Sequence, residues 1–600
     1  MAYITSNSEK SVFKIDNFLG LNESPDGDAG LKDGEAAVMR NWRITAEKNI
    51  QVRPGSKTVL TLSEGGSPVR GLWRGAVAGN EHILCACGGK LFDLKGIDSA
   101  DPSAVEIGTL ADADTHFFGF SNAVYIMNGT QYMKWTGEGN AVEVEGYIPI
   151  IATATPPSGG GKALEEANVL TGKRRQQFSA DGEATVFQLA EIGISSVVSV
   201  SVAGAALESG YTVDADAGTV TFEEAPVKGA NNVEITYDTG AGNPDIVRKM
   251  RFSETYNGYT DSRVFLYGDG SNVTIYSGLD EYGQPSAEYF PALNQIAVDK
   301  SNTPITAMVR HYGNLVIYKT DSVFQTTYDT ITLADGTVTA AFSIRPINRS
   351  IGNECMGAVL LVYNNPRSLY EGACYEWKPN YSGGVSDERN ASRISDRVAD
   401  SMRSFDLSRC VTFDDERSYE YWICYDGAAL VHNYRTDTWC KYTGLPITCM
   451  VQTNNSILFG STDGKVKDLS TSHRNDDDEA ISAYWESGSI DFNYDWRRKF
   501  ISVLYVVMKP ESNGRVSVTC QTDRKSDYAD KVISTSLATL SHVDFNHFSF
   551  GTNRKPKTRR IKLKAKKFAF YKLIFESESA SSTATVLGAD LVVRYAGNVK

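Results

Sequence analysis

The sequence predicts an all-β protein: a degenerate β-propeller with an inserted small β-sandwich and a C-terminal β-sandwich. Three observations predict it. Helical periodicity is scarce, while short alternating runs separated by turn residues dominate. Aromatic residues make up 10% of the chain, with 30 Tyr, beside 52 Gly, a balance that favours strands and turns. Finally, one unit recurs: a polar turn, four or five apolar residues, a turn carrying Gly, Asp or Asn, and a second strand. It is seen in "NEHILCACGGKLFDL" (80–94), "SNAVYIMNGTQYMKW" (121–135), "DSRVFLYGDGSNVTIYS" (261–277), "YGNLVIYKTDSVFQTTY" (312–328), "RSYEYWICYDGAALVHNY" (417–434) and "NNSILFGSTDGKVKDL" (454–469).

A chain of 600 residues exceeds what one core can hold, so several domains are expected. Residues 1–155 read as an N-terminal docking segment and the first blades. Within them, "GEAAVMRN" reads as a short helix, capped by Asp33 and ended by Asn41 in a left-handed conformation. A strand follows, then Arg53-Pro54-Gly55-Ser56, whose Pro and Gly suit a type II turn. "PPSGGG" (156–161) has linker composition and opens an insert, 156–244, whose alternating strands share no pattern with the blades. It reads as a β-sandwich placed in a blade-to-blade loop.

Residues 245–470 read as the remaining blades. Extra strands precede several hairpins, so three or four strands repeat about six times, the mark of a propeller. A less regular seventh unit lies at 355–377. "NYRTDTWCKYTGLP" (433–446) resembles the end of a kelch blade, where a Trp packs between adjacent sheets. The run Asp476, Asp477, Asp478, Glu479 reads as a solvated linker; a cation site would need further spaced oxygen ligands, and none follows. Residues 480–600 read as a C-terminal basic β-sandwich.

Charge is unevenly spread. Residues 491–600 hold 20 Lys and Arg against 10 Asp and Glu, about +10, which leaves about −23 for the rest of a chain whose total is −13. The segment "RKPKTRRIKLKAKKFAFYK" (554–572) carries ten basic residues and no acid. Alternation turns Ile561, Leu563 and Ala565 toward a core and Arg560, Lys562, Lys564 and Lys566 to the other face. With Arg559 and Lys567 they form a candidate interface. The row suits a nucleic acid backbone, an acidic partner, or the guarding of an exposed strand edge.

The patterns of known chemistry are missing. The seven His are scattered, and no HExxH, zinc spacing, GxSxG or GxxxxGK[ST] occurs. His542 and His547 flank a "VDFN" loop, which reads as a turn. No catalytic residue, metal site or cofactor is expected. Nine Cys without a CxxC pair read as reduced thiols of a chain made in a cytosol. The opening "MAYITSNSEKSVFKID" lacks a secretory pattern, and no apolar run approaches a membrane span.

The opening stretch "IDNFLGLNESPDGDAGLKDGEAAVMRNWRITAEKNIQVRPGSKTVL" (15–60) resembles the N-terminus of tail nozzle proteins of short-tailed bacteriophages, the tail tubular protein B-like or stabilisation proteins. The matching residues are Phe18, Gly20, Leu21, Asn22, Glu35, Ala36, Asn41, Arg53, Pro54 and Gly55; Leu19-Gly20 departs from the family's paired glycines. The resemblance implies a non-enzymatic virion protein made in the host cytoplasm. Its subunits would form a homohexameric ring below the portal-adaptor ring, through which double-stranded DNA passes without sequence-specific binding. It makes Asn41, Arg53, Pro54 and Gly55 an assembly motif. A carbohydrate- or receptor-binding tail component is the alternative, with Trp73, Trp135, Trp377, Trp422, Trp439 and Trp485 as stacking faces. A propeller enzyme that degrades polysaccharide is the third reading.

Overall fold

The computed structural model describes residues 10–23, 30–256, 262–332, 338–378, 390–511, 514–526, 531–535 and 555–598. His542 and His547 lie outside them. The protein is all-β: a propeller, a sandwich inserted in it, and a second sandwich.

Seven four-stranded antiparallel sheets form the propeller. Blades one to six occupy residues 69–109, 116–143, 252–297, 305–348, 360–393 and 411–443. Blade seven takes three strands from residues 447–470 and its fourth, Gly55–Thr61, from the other end of the chain. That exchange closes the circle. The first strands are neighbours all the way round: Val69–Val77 lies against both His116–Phe120 and Ile447–Gln452. Between blades two and three the link is a 3.0 Å hydrogen bond of His116 Nε2 with Ser253 Oγ.

Strand composition follows position. Glu420–Tyr425 ("EYWICY") is buried along nearly its whole length because a blade's inner strands face a neighbouring blade on each side. Leu84, Ala86 and Leu91 of blade one meet Val124, Ile126 and Trp135 of blade two in one apolar cluster. Cys85 and Cys87, on the other face of the same strand, pack against Leu458 and Val466 of blade seven. All nine thiols are free.

The insert, residues 150–238, pairs a six-stranded with a three-stranded sheet around Phe178, Phe187, Val220, Phe222, Ile235 and Tyr237. The second sandwich is built from both ends of the chain. One sheet runs Trp42–Ile44, Ile50–Val52, Thr585–Asn598, Arg497–Met508, Lys557–Phe568, with Lys10–Ile15 also on Thr585–Asn598. The other runs Gly20–Leu21, Glu35–Arg40, Ile481–Ser487, Tyr571–Ser579, Arg515–Thr522, Lys531–Ser534. Its core is continuous with that of blades five to seven.

Two local expectations are corrected. "GEAAVMRN" is not a helix capped by Asp33: Glu35–Arg40 is a strand paired with Ile481–Ser487. Good helix formers yield here because the pairing buries Ala36 and Met39 and bonds the backbone, which outweighs a few tenths of a kcal/mol of propensity per residue. Asn41 does adopt the left-handed conformation (φ 58°), at the end of that strand. Nor is Arg53-Pro54-Gly55-Ser56 a type II turn, because Gly55 is not left-handed and opens the extended strand Gly55–Thr61. Glycine is needed there for another reason: a Cβ would lie 2.3 Å from the carbonyl oxygen of Asn475.

Candidate functional site

The residues expected to form an assembly motif lie where propeller and C-terminal sandwich meet. Asn41 ends the strand Glu35–Arg40, and its left-handed turn aims the amide at blade six. Its Nδ2 donates to the Ser482 carbonyl (2.8 Å) and Thr443 Oγ1 (3.1 Å). Its Oδ1 accepts from Thr443 N–H (2.8 Å) and Arg53 Nε (3.0 Å). One amide thus joins the N-terminal segment, blade six and the strand Ile481–Ser487.

Arg53, only 3% exposed, uses all five of its guanidinium donors. Nε goes to Asn41, the Nη1 group to the Pro54 carbonyl and Asp476 Oδ1, and the Nη2 group to the Thr443 carbonyl and Asp476 Oδ2 at 2.6 Å. A fork on a carboxylate is the strong form of an ion pair, and full satisfaction is what lets a guanidinium be buried. The reading of Asp476–Glu479 as a solvated linker is therefore overturned for Asp476 and Asp477, while Asp478 and Glu479 are exposed. Asp476 also accepts from Ser56 N–H (2.9 Å) and Oγ (2.8 Å). Asp477 accepts from Thr58 N–H (2.6 Å) and Oγ1 (2.7 Å) and pairs with Lys467 at 3.0 Å. Burial works to raise the Asp477 carboxyl, but the Thr58 and Lys467 donors hold it below the usual carboxylate range.

Other residues of the opening stretch sit at the same seam. Phe18 is fully buried, edge-on to Trp485 at 5.3 Å. Gly20 (φ 83°) passes so close to Trp439 that a Cβ would lie 2.6 Å from its carbonyl oxygen. Glu23, which sequence reasoning passed over, accepts from Ser401 N–H (2.8 Å) and Oγ (2.6 Å) between blades five and six. Arg43 pairs with the buried Glu420 of blade six at 3.6 Å.

The basic row is arranged otherwise. Lys557–Phe568 is the last strand of its sheet among the described residues. Ile561, Leu563 and Ala565 are buried, while Arg559, Arg560, Lys562, Lys564, Lys566 and Lys567 are exposed. Arg559 donates to the Ser534 carbonyl at 2.9 and 3.1 Å. Arg560, Lys562, Lys564 and Lys566 have no ion-pair partner among the described residues.

The tryptophans named for sugar stacking are core. Trp135, Trp377, Trp422, Trp439 and Trp485 are all buried, and Trp73 is half-buried in an inter-blade cluster. Trp439 donates Nε1–H to the Ile394 carbonyl at 3.1 Å, bridging blades five and six. Among the described residues the exposed aromatics are Tyr282, Tyr312, Tyr363, Tyr494 and Trp496, of which Tyr312 and Tyr363 lie at hairpin tips of blades four and five.

Two carboxyls on first strands of blades titrate high. Burial raises Glu254 of blade three to about 7 and Asp414 of blade six to about 6. They stand on different blades, and neither is the other's neighbour in its electrostatics. Among the described residues no three His, Cys, Asp or Glu side chains are grouped to hold a metal ion. No helix is long and apolar enough to cross a membrane.

No family model and no curated protein matches the chain. Among solved structures it is similar to the CNH domain of AfRom2, at 8% identity over 69% of this chain and 99% of that one, with a TM-score of 0.36. A computationally designed protein, Ika8, matches at 9% identity over 69% and 99%, TM-score 0.32. An exo-β-1,3-galactanase from Phanerochaete chrysosporium, in complex with galactose, matches at 10% identity over 90% and 100%, TM-score 0.17. Likenesses this distant carry no function across.

Proposed function

We propose that the protein is a structural ring subunit: a tail nozzle-like conduit through which double-stranded DNA is retained and then ejected. The observation that carries this reading is the pairing of opposites in one chain. An exposed basic row, whose Arg560, Lys562, Lys564 and Lys566 have no ion-pair partner among the described residues, stands on a molecule whose remainder is about −23. Such a row fits an acidic neighbour, either the next subunit or an adaptor ring. A net-negative wall repels DNA and so does not trap the duplex it passes. The intrachain network at Asn41 and Arg53 supports this reading by fixing the sandwich that bears the row to the propeller.

The test is particle imaging of the purified chain with its native mass. Six-fold rings with an opening of about 20 Å or more, wide enough for a B-DNA duplex, are the expected result. Reversal of Lys562, Lys564 and Lys566 to Glu is expected to weaken ring formation. A monomer at micromolar concentration, alone and with candidate adaptor proteins, overturns the reading.

A second reading, a carbohydrate- or receptor-binding component, is favoured by one observation: the exposed tyrosines Tyr312 and Tyr363 on the hairpin tips of blades four and five. The two readings are compatible in one protein, since tips and basic row lie on different domains.

A further inference from the structure

In blades four, five and six the turn between the first and second strands carries a tyrosine in the left-handed conformation: Tyr312 (φ 50°), Tyr363 (φ 54°) and Tyr419 (φ 59°). A bulky side chain is costly there. Blades one and two have left-handed residues at the same turn, but small ones, Ala78 and Ser121. Three strained tyrosines in successive blades therefore place rings, not merely a turn.

The tips form one rim. His311 Nε2 donates to the Asn364 carbonyl at 2.8 Å, tying blade four to blade five beside Tyr312 and Tyr363. Tyr363 meets Tyr419 and Tyr434 of blade six with ring centroids 6.5 and 5.5 Å apart. Tyr419 and Tyr434 are 5.8 Å apart and nearly perpendicular. Tyr363 is 72% exposed and Tyr312 59%.

The ring faces decide the ligand class. Arg435 covers Tyr419 at 5.4 Å, and Arg367 covers Tyr434 at 5.6 Å. The chain's own cations already occupy those two π-faces, which argues against a cationic ligand. Asp414 and Glu416 stand beside Tyr434, a negative flank that argues against nucleic acid. What remains are two exposed rings: Tyr312, packed beside His311 at 4.7 Å, and Tyr363, beside the Tyr419 and Tyr434 tips that carry Arg435 and Glu416. A ring with a C–H face of positive partial charge and a rim of hydroxyls matches that set: the C–H face lies on the negative π-face, and the hydroxyls meet the charged flank.

We propose that the hairpin tips of blades four to six form a shallow binding platform for neutral pyranose saccharides, with Tyr312 and Tyr363 as stacking faces and Arg435 and Glu416 as hydroxyl partners. This rests on the second functional reading and is independent of ring assembly.

The test is calorimetric titration of the full chain with hexasaccharides of glucose, galactose and N-acetylglucosamine. The expected result is binding of at least one hexasaccharide in the micromolar to millimolar range. Tyr363→Ala and Tyr312→Ala should each weaken it about tenfold or more. Tyr282→Ala, equally exposed but on blade three, should leave it unchanged. Tyr363→Gly separates binding from folding: it relieves the left-handed strain, so melting should hold or rise while binding is lost. Absence of binding to every hexasaccharide, or binding that survives both alanine substitutions, overturns the platform. A fall in native mass for Tyr363→Ala without saccharide binding identifies the tips as a contact between copies and equally overturns it. Rings seen by imaging alongside a failed titration would leave the conduit standing and remove only the platform.

Discussion

The seam at Asn41 and Arg53 and the strand Lys557–Phe568 are both rich in polar groups, yet they are opposites. At the seam the guanidinium has a partner for every donor and is 3% exposed. On the strand, four cations stand in solvent without ion partners among the described residues. Satisfied buried charge holds a chain to itself, because removing either partner strands the other in a poor solvent. Unsatisfied exposed charge costs little and is available to another molecule. The motif singled out for assembly thus makes these contacts within one chain, and in the reading proposed above contact between chains is left to the basic row.

That contrast can be broken or sharpened by substitution. Arg53→Met has the largest expected effect, a loss of about 3–5 kcal/mol, because Asp476 is left without its fork; denaturant unfolding reads it, and a loss under 1 kcal/mol would deny the seam its role. Asn41→Ala should cost about 2–3 kcal/mol, combining a forfeited amide network with a left-handed alanine. Asn41→Gly removes only the first of these, and its smaller loss apportions the two. Gly55→Ala should cost about 1–3 kcal/mol by pushing the strand from Asn475, and melting temperature suffices to see it.

Acid should loosen the seam next. The Asp477 carboxyl is depressed in the folded protein, so its contribution is present above the ordinary aspartate value of 3.8 and is lost as pH falls through the folded one. Limited proteolysis between about pH 5 and about pH 2 should show cleavage near residues 470–483, and Asp477→Asn should remove that pH dependence. The smallest effect belongs to the basic row. Lys562→Ala or Lys564→Ala should change stability by less than about 0.5 kcal/mol, and a larger change by the same denaturant measurement would mean that the row is structural.

Legibility in the sequence differed along the same line. The alternation in "RRIKLKAKK" states which residues face the core, and Ile561, Leu563 and Ala565 are buried accordingly. The hairpin repeats marked blades because each carries its own turns and apolar run. "GEAAVMRN" misled because its helix propensity is local, while the strand that overrides it, Ile481–Ser487, lies some 440 residues away. The acid run misled likewise. Four adjacent acids read as solvated unless donors are known, and for Asp476 and Asp477 those donors come from Arg53, Ser56 and Thr58. The tyrosine tips could have been found by aligning the turns "HYGN" and "VYNN", where an aromatic stands in a position that favours Gly or Asn.

The sequence by itself determined the all-β class, the repeating hairpins and the faces of a strand such as Lys557–Phe568, because side chains alternate with a period of two and turns need particular residues. Only the tertiary structure decided that seven blades close through Gly55–Thr61, that both chain ends build one sandwich, and that Arg53 finds Asp476. Those are pairings between distant segments, and a local pattern says which side of a strand is buried but not against what. The choice is made by the one arrangement that buries every apolar face while leaving few buried donors unmet.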